Sequence, residues 1–233
     1  METGRKKILT NFCDFSISSK KNSNNLIWLS KKIDFPSYEK VTNHGVLALG
    51  GDLSEKRLIH AYQNGIFPWF SDGEPIVWYC PAERMVLYPE ELKISKSMRH
   101  FLKKNTYTIT ENMAFKEVIF NCKNIERKDG LGTWITNDME QAYLNLHKAG
   151  VAKSIEVWQG EELVGGLYGV EIGNVFCGES MFSKISNASK LAFIHLIKKG
   201  SYKLIDCQVY NEHLESLGAR EISRNQFLQL LKS

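Results

Sequence analysis

Glu179 stands between Gly178 and Ser180 in VFCGESMF, an otherwise apolar run. A carboxylate in such an interior strand needs a partner, or it shifts its pKa and neutralises. A site that receives a cation from outside would supply one. Lys96, Arg99 and Lys103 recur at i, i+3 and i+7, while Ile94, Met98, Phe101 and Leu102 form the other face. This stripe is either the solvated side of an amphipathic helix or a phosphate track. Neutralising three phosphates gives a log–log salt slope of roughly −2 to −3. Ile66-Phe67-Pro68-Trp69-Phe70 is unusually aromatic for a connector and reads as core, as interface, or as a surface on which a base stacks. Gly50-Gly51, just ahead of a helix, makes a tight turn or accepts a phosphate.

These groups need elements to hold them. LVGGLYGV and VFCGESMF flank Glu171-Ile172-Gly173-Asn174, and Gly173 and Asn174 tolerate positive φ, so a β-hairpin is expected. Asp52 or Ser54 caps a helix whose apolar face carries Leu58, Ile59, Ala61 and Tyr62, with Gly65 ending it. Pro68 excludes a central strand. Strand is expected over 85–88, helix over 95–104, strand over 106–110 and helix over 114–122. A polar loop, KNIERKDGLG, leads to Thr133-Trp134-Ile135, and Asn137 or Asp138 caps a helix to His147, closed by Gly150. Strands follow at 153–158, in the hairpin and at 203–209, with helices at 187–199, 212–217 and 225–231. Hairpin strands with flanking helices make an α/β chain, an α+β mixed sheet.

A hydrophobic fraction of 43% in 233 residues supplies a sizeable core for one to two domains. The net charge of +4 confines any nucleic-acid contact to a local patch. Five widely spaced cysteines without a CxxC suit reduced thiols in the cytoplasm. The start, METGRKKILTNFC, lacks the apolar core of a signal peptide, and residues 1–25 read as a polar, partly mobile extension. No apolar run approaches the roughly 20 residues needed to cross a bilayer. Scattered histidines give no metal motif, and GxSxG, Walker and Rossmann glycine patterns are absent. No metal, cofactor or membrane partner is expected.

GGDLSEKRLIHAYQNGIFPWF, GTWI, FCGESMFSKISNASK and IDCQV followed by HLESLGA occur in this order. Together they resemble the leucyl/phenylalanyl-tRNA–protein transferases, aminoacyl-transferases of bacterial N-degron pathways, over about residues 34–231. The resemblance implies a small N-terminal domain over 1–85 and a catalytic domain of acetyltransferase-like (GNAT) fold over 86–233. It implies transfer of Leu or Phe from aminoacyl-tRNA to proteins bearing N-terminal Lys or Arg; an apolar pocket for these side chains should also accept Met less well, and a monomer is expected. By the same resemblance, Trp69 and Trp134 lie near the terminal aminoacyl-adenosine, with Tyr143 on the adjoining helix. Phe176, Met181 and Ile205 line the pocket for the Leu or Phe side chain. Asp206 and Gln208 form the proposed catalytic pair, and Glu179 meets the acceptor's cationic end. Lys96, Arg99 and Lys103 match a basic cluster for the tRNA acceptor stem. Lys153 replaces the usual His, and Tyr79-Cys80 replaces the commoner Trp-Ser.

The chemistry is consistent from first principles. An aminoacyl ester is already activated, and an α-amine of pKa about 7.7 to 8.0 is partly neutral at pH 7. Asp206 with an ordinary pKa near 3.9 is a poor base for it. A hydrogen-bonding role is therefore expected, in which Asp206 orients Gln208 or the amine. Period-2 alternation puts Asp206 and Gln208 on one face of a strand with Cys207 opposite. Two rivals remain at this stage. A CoA-dependent acetyltransferase needs a glycine-rich turn where this chain has SKISNASK. A non-catalytic tRNA-binding module leaves Glu179, Asp206 and Gln208 without a role.

Overall fold

A computed structural model describes residues 26–103, 106–125 and 133–233. The expected polar extension and most of the KNIERKDGLG loop lie outside the described residues. The first elements are β1 (Trp28–Leu29), β2 (Val46–Gly50), α1 (Glu55–Gln63), β3 (Phe67–Pro68) and β4 (Val77–Tyr79). They make a four-stranded sheet in the order β1-β2-β4-β3. Pro68 sits on the edge strand β3, where a residue without an N–H breaks no ladder. Ser54, not Asp52, caps α1 by accepting from the Arg57 N–H at 3.4 Å, while Asp52 accepts from the Ser54 N–H at 2.9 Å.

The larger sheet is built from β5 (Glu83–Leu87), β6 (Thr108–Glu111), β7 (Ala152–Gln159), β8 (Glu162–Ile172), β9 (Val175–Ser183), β10 (Leu204–Gln208) and β11 (Arg220–Ser223). Its order is β11-β5-β10-β9-β8-β7-β6, antiparallel except where β10 runs parallel to β9. The helices are α2 (Lys96–Lys103), α3 (Phe115–Asn124), α4 (Asn137–Lys148), α5 (Ala188–Lys198), α6 (Glu212–Glu215) and α7 (Arg224–Leu231). The α/β class with mixed sheets is as expected from sequence. The domain edge drawn at residue 85 falls inside β5.

Two apolar clusters lie on opposite faces of the large sheet. One gathers α1, α3, α4, the small sheet, Cys177, Phe182 and Phe227. The other gathers α5 and α2 over Phe176, Leu167 and Ile205. α5, the crossover between the two parallel strands, buries Leu191, Ile194, Leu196 and Ile197. Each such burial contributes about 1.5–3 kcal/mol. The hairpin turn forms at Gly173-Asn174, with Gly173 at φ 55°. α4 is capped by Thr136 rather than Asn137 or Asp138: its hydroxyl accepts from the Met139 N–H at 3.2 Å. A threonine one residue earlier has the same capping chemistry, so composition alone does not separate the three.

Candidate active site

Glu179 is the extra residue of a β-bulge. Gly169 pairs with Gly178 and Tyr168 with Ser180, leaving Glu179 without an opposite number on β8. A bulge re-aims a side chain that strict alternation would place otherwise. Gly169 makes room for it, since a Cβ there would lie 2.3 Å from the Cys177 carbonyl oxygen and 2.6 Å from the Phe176 ring.

The re-aimed carboxylate meets three elements. The Tyr62 hydroxyl from α1 donates to Oε1 at 2.7 Å, and the Tyr143 hydroxyl from α4 donates to Oε2 at 2.8 Å. Gln208 Nε2 from the end of β10 donates to Oε1 at 2.7 Å. The two phenols are buried and also hydrogen-bond one another. Glu179 itself remains partly accessible. Its pKa is pushed up to about 7 by burial, with the Asp206 charge adding to the rise, against the tyrosine and Gln208 hydrogen bonds that favour the anion. Burial likewise pushes the Tyr62 and Tyr143 phenols up, and the Glu179 charge adds to it. The partner that Glu179 requires is thus supplied from within, and an outside cation is not needed to explain its burial. Three accepted bonds still leave a carboxylate with roughly one lone-pair position free, on Oε2.

Asp206 and Gln208 do share a face with Cys207 opposite, but not by plain alternation. The register shifts between them, and Gln208 takes φ 64°. Asp206 Oδ1 accepts the Gln208 backbone N–H at 2.9 Å, which holds that conformation. Asp206 is fully buried and paired with Arg84, whose Nε and Nη2 donate to Oδ1 and Oδ2 at 2.7 and 2.6 Å. Cys207 is inert as a nucleophile, since burial pushes its thiol well above the ordinary range.

The remaining sequence candidates fall into three groups. Trp69, after β3, is partly exposed and tilted against Tyr79 at 5.9 Å, and Trp134, 9% exposed, precedes α4. Both pack in the cluster that holds Tyr62 and Tyr143. Phe176 and Ile205 are register partners on β9 and β10, fully buried with the partly buried Met181 beside the α5 cluster. The bulge puts Phe176 and Met181 on one face despite their odd separation, and that face is opposite the one Glu179 uses. Lys96, Arg99 and Lys103 are exposed on α2 while Met98 anchors the helix, and Arg99 Nε reaches back to the Ile94 carbonyl at 3.0 Å. At the start of α5, where a CoA enzyme would present glycine, Asn187 takes φ 70° and caps nothing with its side chain.

Sequence reasoning missed Tyr62 and Arg84. Tyr62 was read only as part of an apolar helix face. Arg84 carried the signal that singled out Glu179, a charge set in an apolar strand, MVL following it. Among the described residues no group of three or more His, Cys, Asp or Glu side chains could hold a metal, and no helix is long and apolar enough to cross a membrane.

Residues 86–232 match the family model described as leucyl/phenylalanyl-tRNA protein transferase, and residues 51–82 match that of its N-terminal domain. A protein of Flavobacterium johnsoniae named leucyl/phenylalanyl-tRNA--protein transferase is 59% identical over 89% of this chain and 100% of its own length. One of the same name from Yersinia enterocolitica is 55% identical over 87% of this chain and 86% of its own. Among solved structures, FemX is 11% identical with a TM-score of 0.45 over 77% of this chain and 71% of its own, too distant a likeness to carry an argument. With both family models met in order along one chain, and relatives of more than half identity aligned along most or all of their length, this chain belongs to the leucyl/phenylalanyl-tRNA protein transferase family.

Proposed function

We propose that the protein transfers Leu or Phe, and Met less well, from aminoacyl-tRNA to the α-amino group of proteins with N-terminal Lys or Arg. It does so as a cytoplasmic monomer without a metal or cofactor. The single observation that carries the mechanism is the Glu179 carboxyl, held by Tyr62, Tyr143 and Gln208 with a pKa of about 7.

That value lies within about one unit of an α-amine, so moving a proton from the acceptor's ammonium to Glu179 costs about 1 kcal/mol. Asp206 is committed to Arg84, and its part is to hold Gln208. The acceptor nitrogen docks against the open Oε2 position and gives up a proton. It then attacks the ester carbonyl, forming the C–N bond. As the ester C–O bond breaks, the second proton leaving the nitrogen passes to the tRNA 3′ oxygen. Positioning of the two substrates supplies the rest of the barrier lowering, with no covalent intermediate. Trp69 and Trp134 stack on the terminal adenosine. The pocket for the transferred side chain is the Phe176, Met181 and Ile205 face, reached from the Glu179 side where the β9–β10 ladder ends at Cys177 and Asp206, and it selects against smaller residues by about 1–3 kcal/mol per methylene. The α2 stripe holds the acceptor stem, and an N-terminal domain to residue 85 and a catalytic domain after it each give an aromatic contact and a group around Glu179.

Incubation with labelled leucyl-tRNA and peptides that begin with Arg, Lys or Ala tests this. Label is expected on the first two peptides and not on the third. Label that stays on the tRNA with every peptide would contradict the proposal.

A further inference from the structure

Arg84 is a buried charge bonded both to Asp206, which holds Gln208, and to Gly65, which closes the helix that carries Tyr62. Its Nε and Nη2 form a two-pronged pair with Asp206, and its Nη1 donates to the Gly65 carbonyl at 3.1 Å. Gly65 closes α1, its N–H donating to the Tyr62 carbonyl at 3.0 Å. Asp206 in turn fixes Gln208 at φ 64° through the backbone N–H. Both flat sides of the guanidinium are covered, with Phe67 and Phe227 rings each 4.6 Å away. At 2% exposure Arg84 has no access to substrate.

From this geometry we infer that Arg84 is a positioning residue for the transfer reaction: it holds in register the two elements that bring Tyr62 and Gln208 together on Oε1 of Glu179, and never meets a substrate. The inference rests on the proposed function above. A planar fork does what an ammonium does not, because three of its N–H vectors are used at once toward two elements. A left-handed glutamine stores about 1–3 kcal/mol of backbone strain. The Asp206 bond acts together with the Val209 N–H to Cys207 carbonyl bond at 2.9 Å and the pairing of Gln208 with Met85 to keep Gln208 in that conformation. The groups that face Glu179 are Tyr62 of α1, Tyr143 of α4, Cys177 of its own strand and Asp206 of β10.

Two variants test the inference. Arg84→Lys keeps the charge and loses the fork. The double variant Arg84→Met, Asp206→Leu removes the pair without leaving a lone buried charge, so it folds even where a single substitution does not. Steady-state transfer from leucyl-tRNA to an Arg-initiated peptide is measured across pH 5.5–9, with wild type alongside. Expected for both variants is a kcat lower by about tenfold or more, with KM for leucyl-tRNA within about twofold. In the double variant the acid-side midpoint of kcat also moves down, because the Asp206 charge that raises Glu179 is gone. That shift reports the lost Asp206 charge, and the fall in kcat at nearly unchanged KM in folded protein is the readout that a structural role alone does not give. Wild-type kcat and midpoint in a folded variant would overturn the inference and leave the proposed function standing. No transfer by wild type would overturn both.

Discussion

Replacing Glu179 by Gln changes how stability depends on pH. In the folded chain the carboxyl titrates at about 7 rather than at its ordinary 4.5, chiefly because burial disfavours the anion. Between those values the folded state keeps a proton that the unfolded chain has released. The folded state is therefore stabilised at low pH, and that contribution is lost as pH rises through about 5 to 7 and stays lost above. The full interval corresponds to about 3 kcal/mol. Contact with solvent at the partly accessible side chain reduces this to about 1–2 kcal/mol. The substituted amide does not titrate and adds no such slope. Its weaker match to the two phenols is a constant offset. Urea unfolding of both proteins at pH 5, 6, 7 and 8 reads the difference directly. Glu179→Gln should gain about 1–2 kcal/mol relative to wild type between pH 5 and 8. Parallel stability curves, with a constant difference across that range, would refute the reasoning that burial sets the Glu179 proton.

Asp206→Ala leaves the Arg84 guanidinium buried without its partner and should cost about 3–5 kcal/mol, seen as a large fall in Tm. Gln208→Gly relieves the φ 64° strain, so Tm should hold or rise, while the transfer rate falls about tenfold for want of the Glu179 donor. Changing Lys96, Arg99 and Lys103 together to Ala should reduce the salt slope of leucyl-tRNA binding by roughly 2–3, measured by filter binding between 50 and 200 mM salt.

What the sequence disclosed was chemistry set against its local pattern. Glu179 stood out because a carboxylate inside an apolar strand violates alternation. The helices and the hairpin followed from caps, glycines and periodicity. The partners of Glu179 were not legible, because Tyr62 and Gln208 lie 117 and 29 residues away in the chain and are brought close only by sheet order. The bulge at Glu179 depends on how β8 and β9 pair, and no residue type announces it. It explains why Phe176 and Met181 share a face with each other and not with Glu179. The pairing of Asp206 with Arg84 spans 122 residues, so that partner was not legible, whereas a hydrogen-bonding part for Asp206 in orienting Gln208 was expected from its ordinary pKa.

The central claim is that the Glu179 carboxyl receives the acceptor amine. It is tested most directly by steady-state transfer with Glu179→Gln, varying an Arg-initiated peptide and leucyl-tRNA in turn. The account predicts a raised KM and lowered kcat for the peptide, with KM for leucyl-tRNA close to wild type. Identical kinetics for the two proteins at every peptide concentration would contradict it.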